Sequence, residues 1–189
     1  MCSVLYLIRE AIGAVLFTRC CPICGERIET NTIKEKPIYV CNRCMHSLPR
    51  TEQAATRGNL TEDIFHDIPS FQRGAAFLYY NQTTSLHNLF HCFKYGHQPE
   101  IAYQLAYEAA GDFLQADFFD EIDLIMPVPL HPKRFKLRGY NQCDYIAQAL
   151  SEVTRIPVDT THLLRIKNNP QQALLKGQKR TNNVDNIFQ

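Results

Sequence analysis

The chain has 189 residues, is 45% hydrophobic and carries a formal net charge of +1. That length accommodates one core-bearing domain plus a small module, and the apolar runs are too short to span a bilayer, which excludes membrane insertion. The charge is uneven, because residues 1–130 carry a net −5 and residues 131–189 a net +6. We therefore expect an anionic partner, such as a phosphate, a pyrophosphate or a nucleic acid, on the last third of the chain.

The first eighteen residues are apolar but interrupted by Arg9 and Glu10. They lack a basic n-region and a small-residue cleavage site, so we expect no signal peptide. An amphipathic helix that docks on the following module is the better interpretation, and the reducing cytosol is the expected compartment.

Four cysteines form two C-x-x-C pairs separated by 16 residues, the spacing of a four-thiolate zinc site: Cys21, Cys24, Cys41 and Cys44. Two residues between thiolates place both sulfurs on one face of a metal, and the second pair completes a tetrahedron. Because a closed four-sulfur site leaves no position for water, the zinc should be structural. Cys20 is a rival to Cys21 with a looser spacing. The scattered Cys2, Cys92 and Cys143 are interpreted as small core residues.

An α/β rhythm begins at Phe71, after a polar and weakly patterned stretch at 51–70 that is typical of a linker. Apolar spacing predicts strands at 75–80, 123–128 and 158–164, and helices at 85–95, 100–119, 141–154 and 179–188. Alternating strands and helices indicate a mostly parallel sheet. We therefore divide the chain into a helix and zinc-finger module (1–50), a linker (51–70) and an α/β domain (71–189).

The segment from Met126 to Gln142 predicts an anion site. A buried strand stops at two closely spaced prolines, and four cations follow without an intervening acid: Lys133, Arg134, Lys136 and Arg138. A cationic loop that leads from an α/β strand into a helix is a natural place for a phosphate group. A second basic set surrounds the amide-rich loop at 168–172, namely Arg165, Lys167, Lys176, Lys179 and Arg180. On charge alone, a solvated basic surface is an equal alternative.

The spacing of these residues resembles the ComF competence-protein family, whose members join a small zinc finger to a type I phosphoribosyltransferase domain. Besides the four cysteines, Phe93–Gly96 looks like the family's Lys-Tyr segment, and Asp123–Gln142 is similar to its P-V-P-L-H and R-G-Y-N-Q signature. Residues from Arg165 to Phe188 recur at the family's spacing R-x6-Q-x2-L-x4-R-x2-N-x4-F. The implied fold is a Rossmann-like, mostly parallel sheet.

The resemblance also implies roles for individual residues. Pro127, Val128, Pro129 and Leu130 would form the loop under the pyrophosphate of phosphoribosyl pyrophosphate. Arg134 and Arg138 would neutralise its charge, while Asn141 and Gln142 hold the loop. Arg165, Gln172 and Arg180 would belong to a flexible loop that covers the site and excludes water.

The sequence departs from the family in one respect, because no pair of acids followed by Thr-Thr-Gly occurs in it. In the family, that motif holds the ribose and the 5′-phosphate. We therefore expect an incomplete phosphoribosyltransferase domain whose C-terminal part is missing. We further expect it to be inactive in ribosyl transfer, with no catalytic residues assigned and with magnesium bound only if the missing motif is supplied. The alternative is a non-catalytic, zinc-stabilised module that binds single-stranded DNA or a competence helicase.

Overall fold

The computed structural model describes residues 19–28, 32–33, 36–80, 84–169 and 186–189. The helix predicted for the first eighteen residues lies outside this part of the chain, as do Gln172, Arg180 and most of the helix predicted at 179–188. Helices dominate the described residues. None of these helices is long and apolar enough to cross a membrane.

The cysteine module is built from two short antiparallel pairings and one helix. An isolated bridge joins Cys20 to Arg27, and the turn between them needs Gly25, whose φ of 74° lies in the left-handed region. Strand β1 (Thr32–Ile33) then pairs with β2 (Lys36–Pro37). Helix α1 (Asn42–His46) follows directly after Cys41.

The stretch from 51 to 80 is held together by polar side chains. It contains a 3₁₀ turn (Gln53–Ala55) and helix α2 (Leu60–Phe65). The buried Asn59 caps α2 by accepting from two backbone N–H groups and donates to the carbonyls of Gln53, Thr56 and Gly74. The region predicted as a linker therefore contains an ordered turn and helix.

The strand predicted at 75–80 is reduced to one antiparallel bridge between Leu78 and Arg50. Backbone hydrogen bonds on either side of the bridge join Thr51 to Phe77 and Tyr79 to Pro49. Pairing is this short because the 3₁₀ turn begins at Gln53, three residues beyond Arg50.

Four further helices follow: α3 (Thr84–Tyr95), α4 (Glu100–Gln115), α5 (Pro132–Arg138) and α6 (Gln142–Thr154). Helix α4 packs against α6 in a cluster that brings Ala106 and Ala149 together with larger side chains such as Tyr103. It ends four residues earlier than predicted, because the chain turns at Asp117, where φ is 48°. Helix α5 was not predicted from the apolar pattern, since its side chains are mostly exposed and basic.

A single core joins the cysteine module to the helices. Buried residues from both regions form one cluster: Cys21, Val40, Cys44, Met45, Leu48, Leu86, Leu89, Phe93, Ile101, Ala102 and Leu105. Removing this apolar surface from water stabilises both regions together at about 25 cal/mol per Å². The metal module and the first two long helices therefore fold against each other.

In the described residues, the predicted parallel sheet is represented by one parallel bridge between Ile125 and Val158. Its hydrogen bonds run from Ile125 N to Pro157 O at 2.9 Å and from Asp159 N to Ile125 O at 3.0 Å. Prolines at 127 and 129 lack the N–H that would continue the ladder. A mostly parallel, Rossmann-like sheet is thus not shown here, and the other pairing of this region, Arg165 with Phe188, is antiparallel.

Candidate metal centre and anion site

The four cysteines predicted from the C-x-x-C spacing meet at one point. The Sγ atoms of Cys21, Cys24, Cys41 and Cys44 all lie within 4.8 Å of one another, and those of Cys24 and Cys41 are 3.7 Å apart. A tetrahedral site with zinc–sulfur bonds of about 2.3 Å has edges of about 3.8 Å. The donor set therefore fits a metal ion of this size, and Cys20, which is exposed, does not belong to the group.

The thiols of this group differ in their acidity. A hydrogen bond from the Glu26 backbone lowers the pKa of Cys24 to about 7. Burial raises the pKa of Cys41 and of Cys44. Since metal ligation requires thiolates, a bound cation would supply the positive charge that these buried sulfurs need to ionise.

Helix α4 holds the backbone that leads into the second cysteine pair. The side chain of Gln104 is 3% exposed, and its Oε1 accepts from the N–H groups of Tyr39 and Val40, both at 2.9 Å. Its Nε2 donates to Val40 O at 2.9 Å. Gln104 therefore satisfies the polar backbone groups just before Cys41 and fixes their position.

A second link runs from the loop between the cysteine pairs to α6. Lys36 Nζ lies 3.0 Å from Glu152 Oε2 and 3.8 Å from the centre of the Tyr103 ring. Tyr103 in turn donates to the same Glu152 oxygen at 2.5 Å. The cysteine module is thereby attached to both α4 and α6.

The proline loop at 127–130 is fastened by the N-cap residue of α6. Asn141 is 4% exposed; its Nδ2 donates to Val128 O at 3.1 Å and to Asp144 Oδ1 at 2.6 Å. Its Oδ1 accepts from Cys143 N at 3.2 Å, which caps the helix. One amide thus joins the loop to the start of α6.

Helix α5 follows the loop and carries two arginines on one face. His131 caps it by accepting from Lys133 N, and Gly139 ends it with a φ of 83°. Arg134 and Arg138 are four residues apart and therefore lie on the same side of the helix. Arg134 donates to the carbonyl of Asn169, and Arg138 donates to Gln142 Oε1 at 2.5 Å.

Each of these arginines has a cationic neighbour from another element. Burial and the charge of Arg134 lower the pKa of Arg165. Burial and the charge of Arg138 lower the pKa of Lys94, which is half-buried on α3. Like charges repel one another, and a bound anion would relieve that repulsion.

A groove of about 490 Å³ opens beside the proline loop. Its lining includes the predicted residues Pro127, Pro129, Leu130, Asn141 and Arg165. Asp144 also lines it, and burial raises the pKa of that carboxyl.

The remaining predicted residues either do not line the groove or lie outside the described chain. Val128 is exposed and contributes its carbonyl to Asn141, and Arg134 and Arg138 lie on α5. Gln172 and Arg180 lie outside the described residues. Sequence reasoning missed Asp144, which lines the groove, and Lys94, the cationic neighbour of Arg138, although the Lys-Tyr segment at 93–96 was a signal for Lys94.

Two curated bacterial proteins are similar in sequence to this chain. The chain is similar to "Competence protein F" of Haemophilus influenzae, with 34% identity over 85 residues, which is 45% of this chain and 37% of that protein. It is also similar to "DNA utilization protein YhgH" of Escherichia coli O157:H7, with 27% identity over 171 residues, or 89% of this chain and 69% of that protein. No model of a known protein family matches, and no solved structure does. The resemblance read from the motifs is confirmed: the curated homologues of this four-cysteine chain are ComF-like competence and DNA-utilization proteins, at modest identity.

Proposed function

We propose that the chain acts in natural competence, in the uptake and use of transforming DNA. The names of the two curated relatives support this role. The match to the second relative covers 89% of the chain, so the similarity is not confined to the cysteine module. A cytoplasmic location is part of the proposal, because the clustered thiols suit a metal in a reducing compartment.

The proposed metal is zinc in a structural role. Four sulfur donors favour zinc over harder cations, which prefer oxygen. The packing of Cys21 and Cys44 in the shared core supports a stabilising rather than a catalytic function.

The proposed ancestry of residues 71–189 is an incomplete, Rossmann-like phosphoribosyltransferase domain, set after the module at 1–50 and the segment at 51–70. The parallel bridge between Ile125 and Val158 supports this, because α5 and α6 lie between the two bridged residues. A parallel pair connected through a helix is the basic unit of such folds.

The proposed ligand is a pyrophosphate-type anion, such as phosphoribosyl pyrophosphate, bound by the proline loop and the arginines. The observation that carries this proposal is the groove lined by the proline loop and Arg165. Helix α5 follows that loop and carries Arg134 and Arg138 on one face. Arginine suits bidentate phosphate recognition. Gln172 and Arg180 are proposed to extend the site. Magnesium is proposed to accompany phosphoribosyl pyrophosphate only where the acidic and Thr-Thr-Gly motif is supplied.

Calorimetric titration with pyrophosphate and with phosphoribosyl pyrophosphate tests the site. The variant Arg134→Gln/Arg138→Gln should bind at least about tenfold more weakly, since charge-assisted hydrogen bonds contribute about 1.5–3 kcal/mol each. The matched control is Lys133→Gln/Lys136→Gln, which removes the same charge from exposed positions of the same helix. Equal weakening in both variants would show a diffuse basic surface instead of a site.

A further inference from the structure

Helix α3 presents a row of rings on its exposed side. His87, His91 and Tyr95 recur every four residues, so they share one face of the helix. Their ring centroids are 6.4 Å apart for the two histidines and 5.3 Å apart for His91 and Tyr95. Tyr80 extends the row, because its hydroxyl lies 3.5 Å from His87 Nδ1. We call these four residues, all exposed, the aromatic column.

Two phenylalanines of α3, Phe90 and Phe93, pack beneath the aromatic column. Phe93 is 4% exposed and belongs to the shared core, and Phe90 packs partly buried against it, 5.1 Å away between ring centroids. Tyr80 meets Phe90 edge-on at 5.4 Å. Phe90 and Phe93 thus anchor the helix that carries the column in the core, while the column's own rings remain exposed to solvent.

Positive charge lies at one end of the column. The Arg138 guanidinium is 5.2 Å from the centre of the Tyr95 ring, and Lys94 is adjacent in the chain. No aspartate or glutamate occurs between Gly74 and Pro99 in the sequence. A polyanion can therefore follow the column without meeting a carboxylate from its own segment.

We propose that the aromatic column, together with Lys94 and Arg138, binds single-stranded DNA, with bases stacked on the rings and phosphates at the cations. The proposal rests on the DNA role proposed above and names the surface that would carry it. Exposed rings beside a cationic track are the usual way of holding single strands without sequence preference. In a duplex the base faces are stacked on one another, so they are not available to stack on the rings. His87 to Tyr95 spans about 12 Å along the helix axis, enough for about three stacked nucleotides.

Fluorescence anisotropy with a labelled oligothymidylate tests the proposal on the 189-residue chain. Two variants of similar volume are compared: His91→Phe/Tyr95→Phe keeps the rings, and His91→Leu/Tyr95→Leu removes them. The leucine variant should bind at least about tenfold more weakly and the phenylalanine variant within about threefold of the parent, because stacking contributes about 1–3 kcal/mol per base. His46→Leu/His66→Leu, which changes exposed histidines elsewhere, should match the parent.

Equal affinities of the leucine and phenylalanine variants would overturn the proposal, as would equal binding of duplex and single strand by the parent. Circular dichroism and thermal melting check that all variants are folded. Pyrophosphate titration of the same proteins separates the two proposals. A parent chain that binds oligothymidylate but not pyrophosphate speaks against the anion site alone. A parent chain that binds pyrophosphate but not oligothymidylate speaks against the aromatic column alone.

Discussion

Replacing Gln104 by leucine should destabilise the chain and loosen its metal centre together. The substitution places an apolar side chain of similar size in the same buried position and removes all three hydrogen bonds to Tyr39 and Val40. Val40 is 0% exposed, so water cannot replace the partners that its N–H and C=O groups lose.

The expected loss in the free energy of unfolding is about 3 kcal/mol, because each buried polar group left unpaired costs about 1–3 kcal/mol and leucine recovers part of this by apolar burial. Such a loss is a large fraction of the roughly 5–15 kcal/mol that a domain has. Since Val40 directly precedes Cys41, the metal should also leave faster.

Urea unfolding followed by circular dichroism measures the first effect, and transfer of metal to a chromophoric chelator measures the second. Gln148→Leu is the matched control, because Gln148 is exposed on α6 and should change the unfolding free energy by less than about 0.5 kcal/mol. The reasoning fails if the unfolding free energy of Gln104→Leu lies within about 0.5 kcal/mol of the parent value and the variant releases metal at the parental rate.

Cys44→Ser should lose the bound metal while Cys20→Ser keeps it, as measured by elemental analysis of the purified proteins; full metal content in the Cys44 variant would contradict the four-sulfur site. Asn141→Leu should lower the unfolding free energy by about 1–2 kcal/mol and weaken pyrophosphate binding, because it removes a helix cap and the bond to Val128. Calorimetric binding at the parental affinity would show that the loop does not need this amide. For Asp144, burial raises the pKa in the folded state, so the folded chain binds the proton more tightly than the unfolded one and stability falls as pH rises above about 4. Asp144→Asn should remove this contribution, so that the melting temperature falls less steeply as pH rises above about 4. An unchanged dependence of melting temperature on pH would show that the Asp144 carboxyl does not contribute to it.

The cysteine centre could be predicted from the sequence because each C-x-x-C segment is too short to place its two sulfurs in many ways. Two residues between Cys21 and Cys24 leave few ways to place the sulfurs, and the second pair repeats the constraint. The helices at 84–95 and 142–154 were also predictable, since apolar periodicity marks the face that each one buries.

Features that depend on distant partners could not be predicted in the same way. Gln104 looks like an ordinary polar residue in an apolar helix until the backbone of Val40, 64 residues earlier, is placed beside it. Helix α5 has no apolar stripe, and only Pro132 and Gly139 mark its ends. The strand at 123–128 was overestimated because its apolar run says nothing about the available pairing partner, which is limited to Val158 in the described residues.

The shared core has a consequence for the order of events during synthesis. Val40 leaves the ribosome before Gln104 by 64 residues, and Lys36 before Glu152 by 116 residues. At a synthesis rate of about 5–20 residues per second, Gln104 of α4 is made roughly 3–13 s after Val40. During that interval the four cysteine thiols depend on one another and on whatever cation they capture. Metal capture by the nascent chain would therefore precede the packing of α3, α4 and α6, and the cysteine pairs would serve as the first fixed point on which the later helices assemble.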